Sequence, residues 1–399
     1  MTAPSAYVDL DDASAILAAD SLGALHSAAL AGAQIRATAS AVREGLLAPL
    51  DGLRPRSVVL VAASGPARRA AALVAAVLAP TAGVPVVSLP ATPPWVGPLD
   101  VVVVAGDDAG DPAVAESVAA GVRRRAEVVV AVPDEGPVAD AGAGWVVSFP
   151  PRVRVLDRNS YARHVAVMAS VLASVDTASS VGDLDAVADA VDAEAVRHHA
   201  SVEVFQNPAK GLASRMAGRR VLMTGDGVVA TEVARHGAAS LLRAAGVVAA
   251  AAELSDAVGV IHDLGAIGGD SADSGRVDYD PLFHDDQLDG PPPADPVRVF
   301  TVSTDPDDSL VRRRVAVLGE VDVVRADDDG VPRTDPEAPA PAPAPGPTTP
   351  VGASLRRALV LAVRIEAAAA YLQLSNGQGS NFRGSNFRGS NFRGSGGGE

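Results

Sequence analysis

The 399-residue sequence contains no cysteine. Disulfide bonds, thiolate nucleophiles and cysteine-based metal sites are therefore excluded. Aromatic residues make up only 3% of the chain, although 48% of it is hydrophobic. A buried core must consequently be built from Ala, Val and Leu, which suits closely packed layers of helices and strands.

Long hydrophobic runs are also missing. The apolar runs at 70–79 and 247–252 are shorter than the ~20 residues that a helix needs to cross a bilayer. Residues 1–10 lack the basic and then apolar pattern of a signal peptide. The formal net charge of −15 repels the phosphate backbone of nucleic acids. We expect a soluble, cytoplasmic protein with no membrane or nucleic-acid partner.

Apolar runs of strand length alternate with helical patterns in residues 51–176, and the same scheme recurs in residues 217–332. Strands that are apolar throughout are typical of parallel sheets covered on both faces. The repeated scheme therefore predicts an α/β fold with two three-layer sandwiches that arose by duplication. The expected strands are 57–63, 84–89, 100–105, 127–132, 221–224, 247–252, 297–303 and 321–325.

The remaining segments differ in composition. We expect a helical N-terminal segment over 1–50, a helical connector over 177–216 and an amphipathic C-terminal helix over 353–374. The segment 333–352 is rich in Pro and Ala and should be an extended linker. Residues 375–399 repeat Gly-Ser-Asn-Phe-Arg three times. This tail cannot bury a core and is predicted to be disordered, whether it is native or left over from expression.

Three segments, taken in order, resemble the bifunctional phosphoglucose/phosphomannose isomerases, which are built from two sugar-isomerase (SIS) domains. The segments are the motif Asn207-Pro208-Ala209-Lys210, the strand block 219–225 and the loop 280–286, which contains His284. The resemblance implies two SIS-type sandwiches, a homodimer and no cofactor. It also implies conversion of glucose 6-phosphate or mannose 6-phosphate to fructose 6-phosphate through an enediol.

The family holds phosphate with hydroxyls and backbone N–H groups at helix N-termini, where a dianion is stabilised. Ser64 and Gly65 retain part of the first phosphate loop, with Arg68 or Arg69 as a possible added cation; a simple turn is the alternative. Gly110 matches the second loop, but carboxylates replace its hydroxyls, and these oppose phosphate binding. That loop also fits an ordinary helix start.

The resemblance assigns ring opening to His284, although this residue also fits a solvent-exposed loop. The family's catalytic Glu has no counterpart. Glu232 and His236 are four residues apart on a predicted helix and share a face. They could form an acid/base pair at a different position from the family's catalytic Glu, or a simple contact on the helix surface.

Lys210 could contact phosphate or sugar hydroxyls at the edge of the site. The same motif also fits a helix start with Asn207 as the cap and Pro208 in the first turn, and both readings can hold. The neighbouring His198 and His199 lack the His-x-x-x-His spacing of a helical metal site, so we predict no metal.

Gly225-Asp226-Gly227 with Ala230 partly matches the glycine-rich pattern of dinucleotide-binding proteins. No acidic residue ends the next predicted strand in the expected manner, although Glu253 lies near it. Two classes of function remain open. One is a phosphohexose isomerase, and the other is a non-catalytic sugar-phosphate sensor or partner protein on the same scaffold.

Overall fold

The computed structural model describes residues 8–142, 144–179, 181–260, 297–307, 309–318, 321–326 and 350–376. Within them lie two parallel β-sheets, which we call the first and second lobe together with their flanking helices. Two predicted features lie outside the described residues. These are the loop with His284 and the repeat tail.

The N-terminal segment is broken into three helices. Asp12 caps the first helix by accepting hydrogen bonds from Ser14 N and Ala15 N. Gly23 interrupts the helical run because its φ of +65° is in the left-handed region, and Asp20 accepts hydrogen bonds from the freed Ala24 N and Leu25 N groups. The helices are α1 (Ala13–Ala19), α2 (Ala24–Ala29) and α3 (Ala31–Arg43).

The first lobe contains a five-stranded sheet in the order β2-β1-β3-β4-β5, with every pair of neighbours parallel. Its central strands are buried along their whole length, as their uninterrupted Val runs predict. The elements are β1 (Ser57–Val61), α4 (Gly65–Leu78), β2 (Val86–Leu89), β3 (Asp100–Ala105), α5 (Pro112–Arg123), β4 (Glu127–Ala131), α6 (Gly136–Gly142), β5 (Val147–Ser148) and α7 (Tyr161–Val175).

The second lobe repeats the scheme with four parallel strands in the order β7-β6-β8-β9. The helical connector is shorter than predicted and is followed by a separate helix, which Asn207 caps. The elements are α8 (Leu184–Arg197), α9 (Pro208–Met216), β6 (Arg220–Gly225), α10 (Val228–Ala245), β7 (Ala249–Glu253), α11 (Leu254–Gly259), β8 (Val297–Ser303), α12 (Ser309–Val315), β9 (Val321–Arg325) and α13 (Pro350–Ser375).

Helix α13 is the common core of the two lobes, since it packs against α2, α4, α8, α9 and α10. We expected one apolar face, but every residue from 358 to 375 is buried. By length and composition alone, this helix could cross a membrane; in the fold, its apolar window lies entirely inside the protein. A buried core helix accounts for that composition.

The one buried arginine of α13 has all of its contacts inside the protein. Arg364 Nε donates to Glu194 Oε1 at 2.6 Å, and its Nη atoms donate to the carbonyls of Arg325 and Ala326. Burial favours the neutral form of Glu194, but contact with His198 and the charge of Arg364 outweigh it and hold the pKa of Glu194 at about 2.

Candidate functional site

In both sheets, the second strand lies on one side of the first strand and the third strand lies on the other. The strand order therefore reverses between β1 and β3 in the first lobe and between β6 and β8 in the second. Ligands of open α/β sheets bind outside the carboxyl ends of the strands at this switch point. The loop after β1 and the loop after β6 are therefore the two places to look for a site.

The loop after β1 leads directly into α4. Gly65 has a φ of +68°, a conformation that favours glycine, and Pro66 follows in the first turn. The hydroxyl of the exposed Ser64 makes no capping hydrogen bond to α4. The first N–H groups of α4 and this hydroxyl can therefore be directed at a ligand.

Two arginines converge on this loop from different lobes. A Cβ placed on Gly65 would lie 3.5 Å from Arg243 Nη1, which α10 supplies from the second lobe. Arg69 follows one turn after Gly65 in α4. Burial and then repulsion by Arg243 lower the pKa of Arg69. Within the described ranges, neither guanidinium has a carboxylate within ion-pair distance. Asp107 and Glu366 act on Arg69 only at longer range. Two neighbouring guanidiniums that lack a direct ion pair favour an anionic ligand.

Arg69 is held in place by a buried imidazole. Its Nε donates to His236 Nδ1 at 3.3 Å, so the ring proton of neutral His236 resides on Nε2, which donates to Glu366 Oε1 at 2.8 Å. Tyr161 stacks on the imidazole with ring centroids 3.7 Å apart. Burial lowers the pKa of His236, which keeps the ring neutral near pH 7.

The same carboxylate joins both lobes. Glu366 belongs to α13, and its second oxygen accepts a hydrogen bond from Asn159 Nδ2 at 2.7 Å. The resulting chain of contacts runs from Asn159 through Glu366 and His236 to Arg69. It fixes the direction of the Arg69 guanidinium from behind, as supporting groups do in preorganised sites.

The second predicted phosphate loop is acidic and largely satisfied by protein groups. His164 Nε2 donates to Asp107 Oδ1 at 2.9 Å. Burial opposes ionisation of Asp107, but the His164 contact outweighs it and lowers the pKa. Gly110 N donates to Asp108, and Asp111 caps α5 through Ala113 N. The loop therefore has the ordinary helix start that its sequence allowed.

Lys210 lies away from any opening, with 1% of its surface exposed. Its ammonium donates to the carbonyls of Ala200 and Val202 at 2.7 Å each, and it lies 5.5 Å from the centre of the Tyr371 ring. Asn207 caps α9 through Ala209 N and Lys210 N. The observed contacts of this motif are structural.

The expected pairing of Glu232 with His236 does not form. Glu232 binds Arg235, while His236 points into the protein and binds Glu366. The reason is that a buried imidazole takes a buried carboxylate, whereas the partly exposed Glu232 reaches the neighbouring surface arginine. Ser64 and Gly65 lie in the loop that Arg243 approaches, and His236 is linked to the same helix start through Arg69. Gly110, Lys210 and Glu232 make other contacts.

Sequence reasoning missed Arg243 and Glu366. The usable signal for Glu366 was a carboxylate within an otherwise apolar helix, because a buried charge requires a partner. Arg243 had no such signal, since it follows the exposed Leu242 on what reads as a helix surface.

No protein-family model matches the chain, and no curated protein sequence matches it. Several solved structures, however, are similar to its fold. A candidate phosphosugar isomerase from Bacillus subtilis has 14% identity and a TM-score of 0.55, over 87% of this chain and 94% of its own. A second one, from Clostridium difficile, has 10% identity and a TM-score of 0.57, over 88% and 93%.

The C-terminal domain of glucosamine-fructose-6-phosphate aminotransferase from Francisella tularensis is also similar. It has 10% identity and a TM-score of 0.55, over 89% of this chain and 96% of that domain. Identities this low establish the architecture alone. The chain is a two-lobed α/β protein with the fold of the double-SIS phosphosugar isomerases.

Proposed function

We propose that the protein binds a sugar phosphate in the cleft between the lobes. The phosphate would lie against Ser64 and the first N–H groups of α4, with Arg69 and Arg243 on either side. The observation that carries this proposal is the convergence of two guanidiniums, one from each lobe, neither of which forms a direct ion pair within the described residues.

The chemistry of the cleft suits such an ester. A phosphate dianion takes charge-assisted hydrogen bonds from guanidinium groups and gains from the positive end of a helix. Asp108 and Asp157 are exposed near the same edge, and carboxylates accept hydrogen bonds from sugar hydroxyls. Burial and the charge of Asp107 raise the pKa of Asp157. A sugar hydroxyl that donates to Asp157 would stabilise the ionised form of that carboxylate.

A second candidate function is aldose–ketose isomerisation of glucose 6-phosphate or mannose 6-phosphate to fructose 6-phosphate. The His236–Glu366 pair behind Arg69 favours it, because a neutral imidazole backed by a carboxylate can act as a base. His236 Nδ1 is occupied by Arg69 and would be released if that guanidinium turned to the phosphate. Glu232 and His284 stay as further proposed catalytic residues, and the latter lies outside the described residues.

Cytoplasmic location and a homodimer remain part of the proposal, since they follow from the resemblance. Light scattering of the purified chain would test the dimer: a mass close to 80 kDa is expected, because one chain is 40.1 kDa.

The binding proposal is tested by titration calorimetry with fructose 6-phosphate, glucose 6-phosphate and unphosphorylated glucose. We expect binding of a phosphorylated sugar only. Arg69→Ala and Arg243→Ala should each weaken it about tenfold or more, since hydrogen bonds to charged groups contribute roughly 1.5–3 kcal/mol. Arg123→Ala is the matched control, because that exposed arginine of α5 pairs with Glu116.

The proposal fails if no phosphosugar binds, or if the Arg69 and Arg243 variants bind like the control. A coupled assay for fructose 6-phosphate then separates the enzyme from a sensor. Turnover that falls ~10²–10⁴-fold in His236→Gln, and is abolished in His284→Ala, supports isomerisation. Binding without any turnover supports the sensor.

A further inference from the structure

The carboxyl edge of the second sheet opens into a cavity of about 570 Å³, within the usual range of roughly 300–1,000 Å³ for small-molecule sites. The sugar-phosphate proposal does not use it. We name this space the second-lobe cavity. Gly225 and Gly227 contribute to its lining, and its polar side chains are those of Asp226, Thr231, Glu253, Ser255, Arg313 and Arg314.

The loop after β6 is shaped by two glycines. A Cβ on Gly225 would lie 2.1 Å from Thr231 N, so β6 ends in direct contact with the first turn of α10. Gly227 has a φ of +94°, and no atom lies within 4 Å of the position that its Cβ would take. The backbone of Gly227 is therefore open to a ligand in the cavity.

The floor of the cavity favours negative charge. Helix α10 has 18 residues, no side chain caps its N-terminus, and its first turn contains no acidic residue. Arg313 and Arg314 of α12 line the opposite wall. Arg314 is paired with Asp226 at 2.5 Å. Arg313 is therefore the cation best placed to meet a phosphate beside the free N–H groups of α10.

A carboxylate stands where a ribose would be bound. Glu253 is the final residue of β7 and is the register partner of Gly225. The sequence had suggested that no acidic residue ends this strand, because the predicted strand stopped one residue early. Glu253 is exposed and has no hydrogen-bond or ion-pair partner among the described residues. In dinucleotide-binding folds, an acidic residue near the end of the second strand accepts hydrogen bonds from ribose hydroxyls.

The remaining walls of the cavity are apolar and partly exposed to solvent. Val228 and Val317 are 69% and 63% exposed, and Leu254 and Val258 complete this side of the cavity. An apolar wall beside a carboxylate and an anion site matches the three parts of a nucleotide, which are base, ribose and phosphate.

We infer that the second-lobe cavity binds a nucleoside diphosphate. The diphosphate lies over Gly227 and the N-terminus of α10 beside Arg313. The ribose hydroxyls bind Glu253, and the base rests on Val228 and Val317. This site is separate from the sugar-phosphate cleft, so either proposal can stand without the other.

Titration calorimetry with ADP tests the inference, with 2′,3′-dideoxy-ADP as the ribose probe. The wild type should bind ADP about tenfold more tightly than the dideoxy analogue, since the Glu253 carboxylate loses the hydroxyl groups that donate to it. In Glu253→Gln that difference should shrink to about twofold or less. Arg313→Ala should weaken both ligands about tenfold, as expected for a phosphate contact.

Two controls keep the outcome interpretable. Arg235→Gln removes an exposed arginine of α10 that pairs with Glu232, and Arg69→Ala empties the other cleft; both should leave ADP affinity within about twofold. All four variants change side chains at partly or fully exposed positions, and circular dichroism checks that they fold. The inference is overturned if ADP does not bind at millimolar concentration. It is also overturned if Glu253→Gln leaves the preference for ribose hydroxyls intact, or if Arg69→Ala alone abolishes ADP binding.

Discussion

The strand ends of the two lobes have the same topology but different surroundings. In the first lobe, the edge is crowded by polar groups, two of which come from the second lobe. Arg243 reaches the loop after β1, and the neutral His236 binds Arg69 of α4. In the second lobe, the edge faces an open cavity. A repeated βα unit therefore does not repeat its site, because what covers the strand ends depends on the neighbouring lobe.

Helix α10 explains how the two edges relate. Its N-terminus borders the second-lobe cavity, and its last turns carry Arg243 to the first lobe. Sixteen residues separate Gly227 from Arg243, which is roughly 24 Å at 1.5 Å per residue. The following substitutions are designed to disturb one edge or the core that the two share.

The largest loss of stability is expected from Arg364→Met, which alters the core that the two lobes share. The change removes the buried cation of Glu194 and leaves it with the partly exposed Arg197 at 3.0 Å. Loss of one partner from a buried ion-pair network destabilises by up to about 3–5 kcal/mol. Urea unfolding measures the loss. In the exposed pair of α5, Arg123→Met should change the unfolding free energy by less than about 1 kcal/mol. Similar losses in both variants would contradict the assigned role of Arg364.

Gly225→Ala tests whether the loop after β6 is more tightly packed than a loop of the first lobe. The new methyl group would meet the backbone of α10 at 2.1 Å, and overpacking of this kind destabilises by about 1–3 kcal/mol or more. Thermal unfolding provides the measurement. A comparison in the first lobe is Gly110→Ala, in the loop after β3, where the nearest atom is an oxygen of the exposed Asp108 carboxylate at 3.1 Å. We expect little change there, and an equal loss would show that the two loops are equally tight.

Lys210→Met distinguishes a structural lysine from a ligand-binding one. The buried carbonyl of Ala200 and the partly buried carbonyl of Val202 would lose their donor, which costs about 1–3 kcal/mol of stability. The affinity for a sugar phosphate should stay within about twofold, whereas Arg69→Ala should do the reverse. A large loss of affinity in the lysine variant would restore the role suggested by the sequence.

The smallest effect is expected in the pH dependence of stability, which the buried imidazoles near the strand ends of the first lobe should produce. Burial lowers the pKa of both His164 and His236. The unfolded chain therefore binds more protons below the ordinary histidine pKa of about 6.5. Stability should be full above this pH and should fall as the pH decreases, by up to about 1.4 kcal/mol per pH unit for each group.

Denaturant unfolding between pH 5 and 8 would measure that slope. Replacement of both histidines, in the variant His164→Asn/His236→Gln, should reduce it and leave the contribution of His198, whose pKa burial also lowers. Glu194 acts in the same direction but at lower pH, because its pKa is about 2 and its contribution is lost between about 4.5 and 2. An unchanged slope in the double variant would rule out His164 and His236 as its source.

Most of the fold could be predicted from local patterns. The strands β3, β8 and β9 coincide with their predicted ranges because each is an apolar run with clear flanking breaks. The short β5 was missed, since two residues carry no periodicity. The break at Gly23 was missed because a helical spacing continues through it.

The candidate site was less predictable because its contacts join distant parts of the chain. Glu366 and His236 are 130 residues apart in sequence, and no local spacing relates them. Glu232, only four residues from His236, was the obvious partner by helical geometry. Burial decided otherwise, and burial is a property of the packed lobes that a helix pattern alone cannot supply.

The position of Glu366 in α13 has a consequence for biosynthesis. The strands of the first lobe leave the ribosome well before α13 does, and lobes generally fold as units in order of synthesis. Asn159 and His236 must wait for that carboxylate, so a nascent chain can form its first sheet without yet holding Arg69 in place. The cleft of a newly synthesised chain would thus become able to bind a ligand only after α13 has packed into the fold.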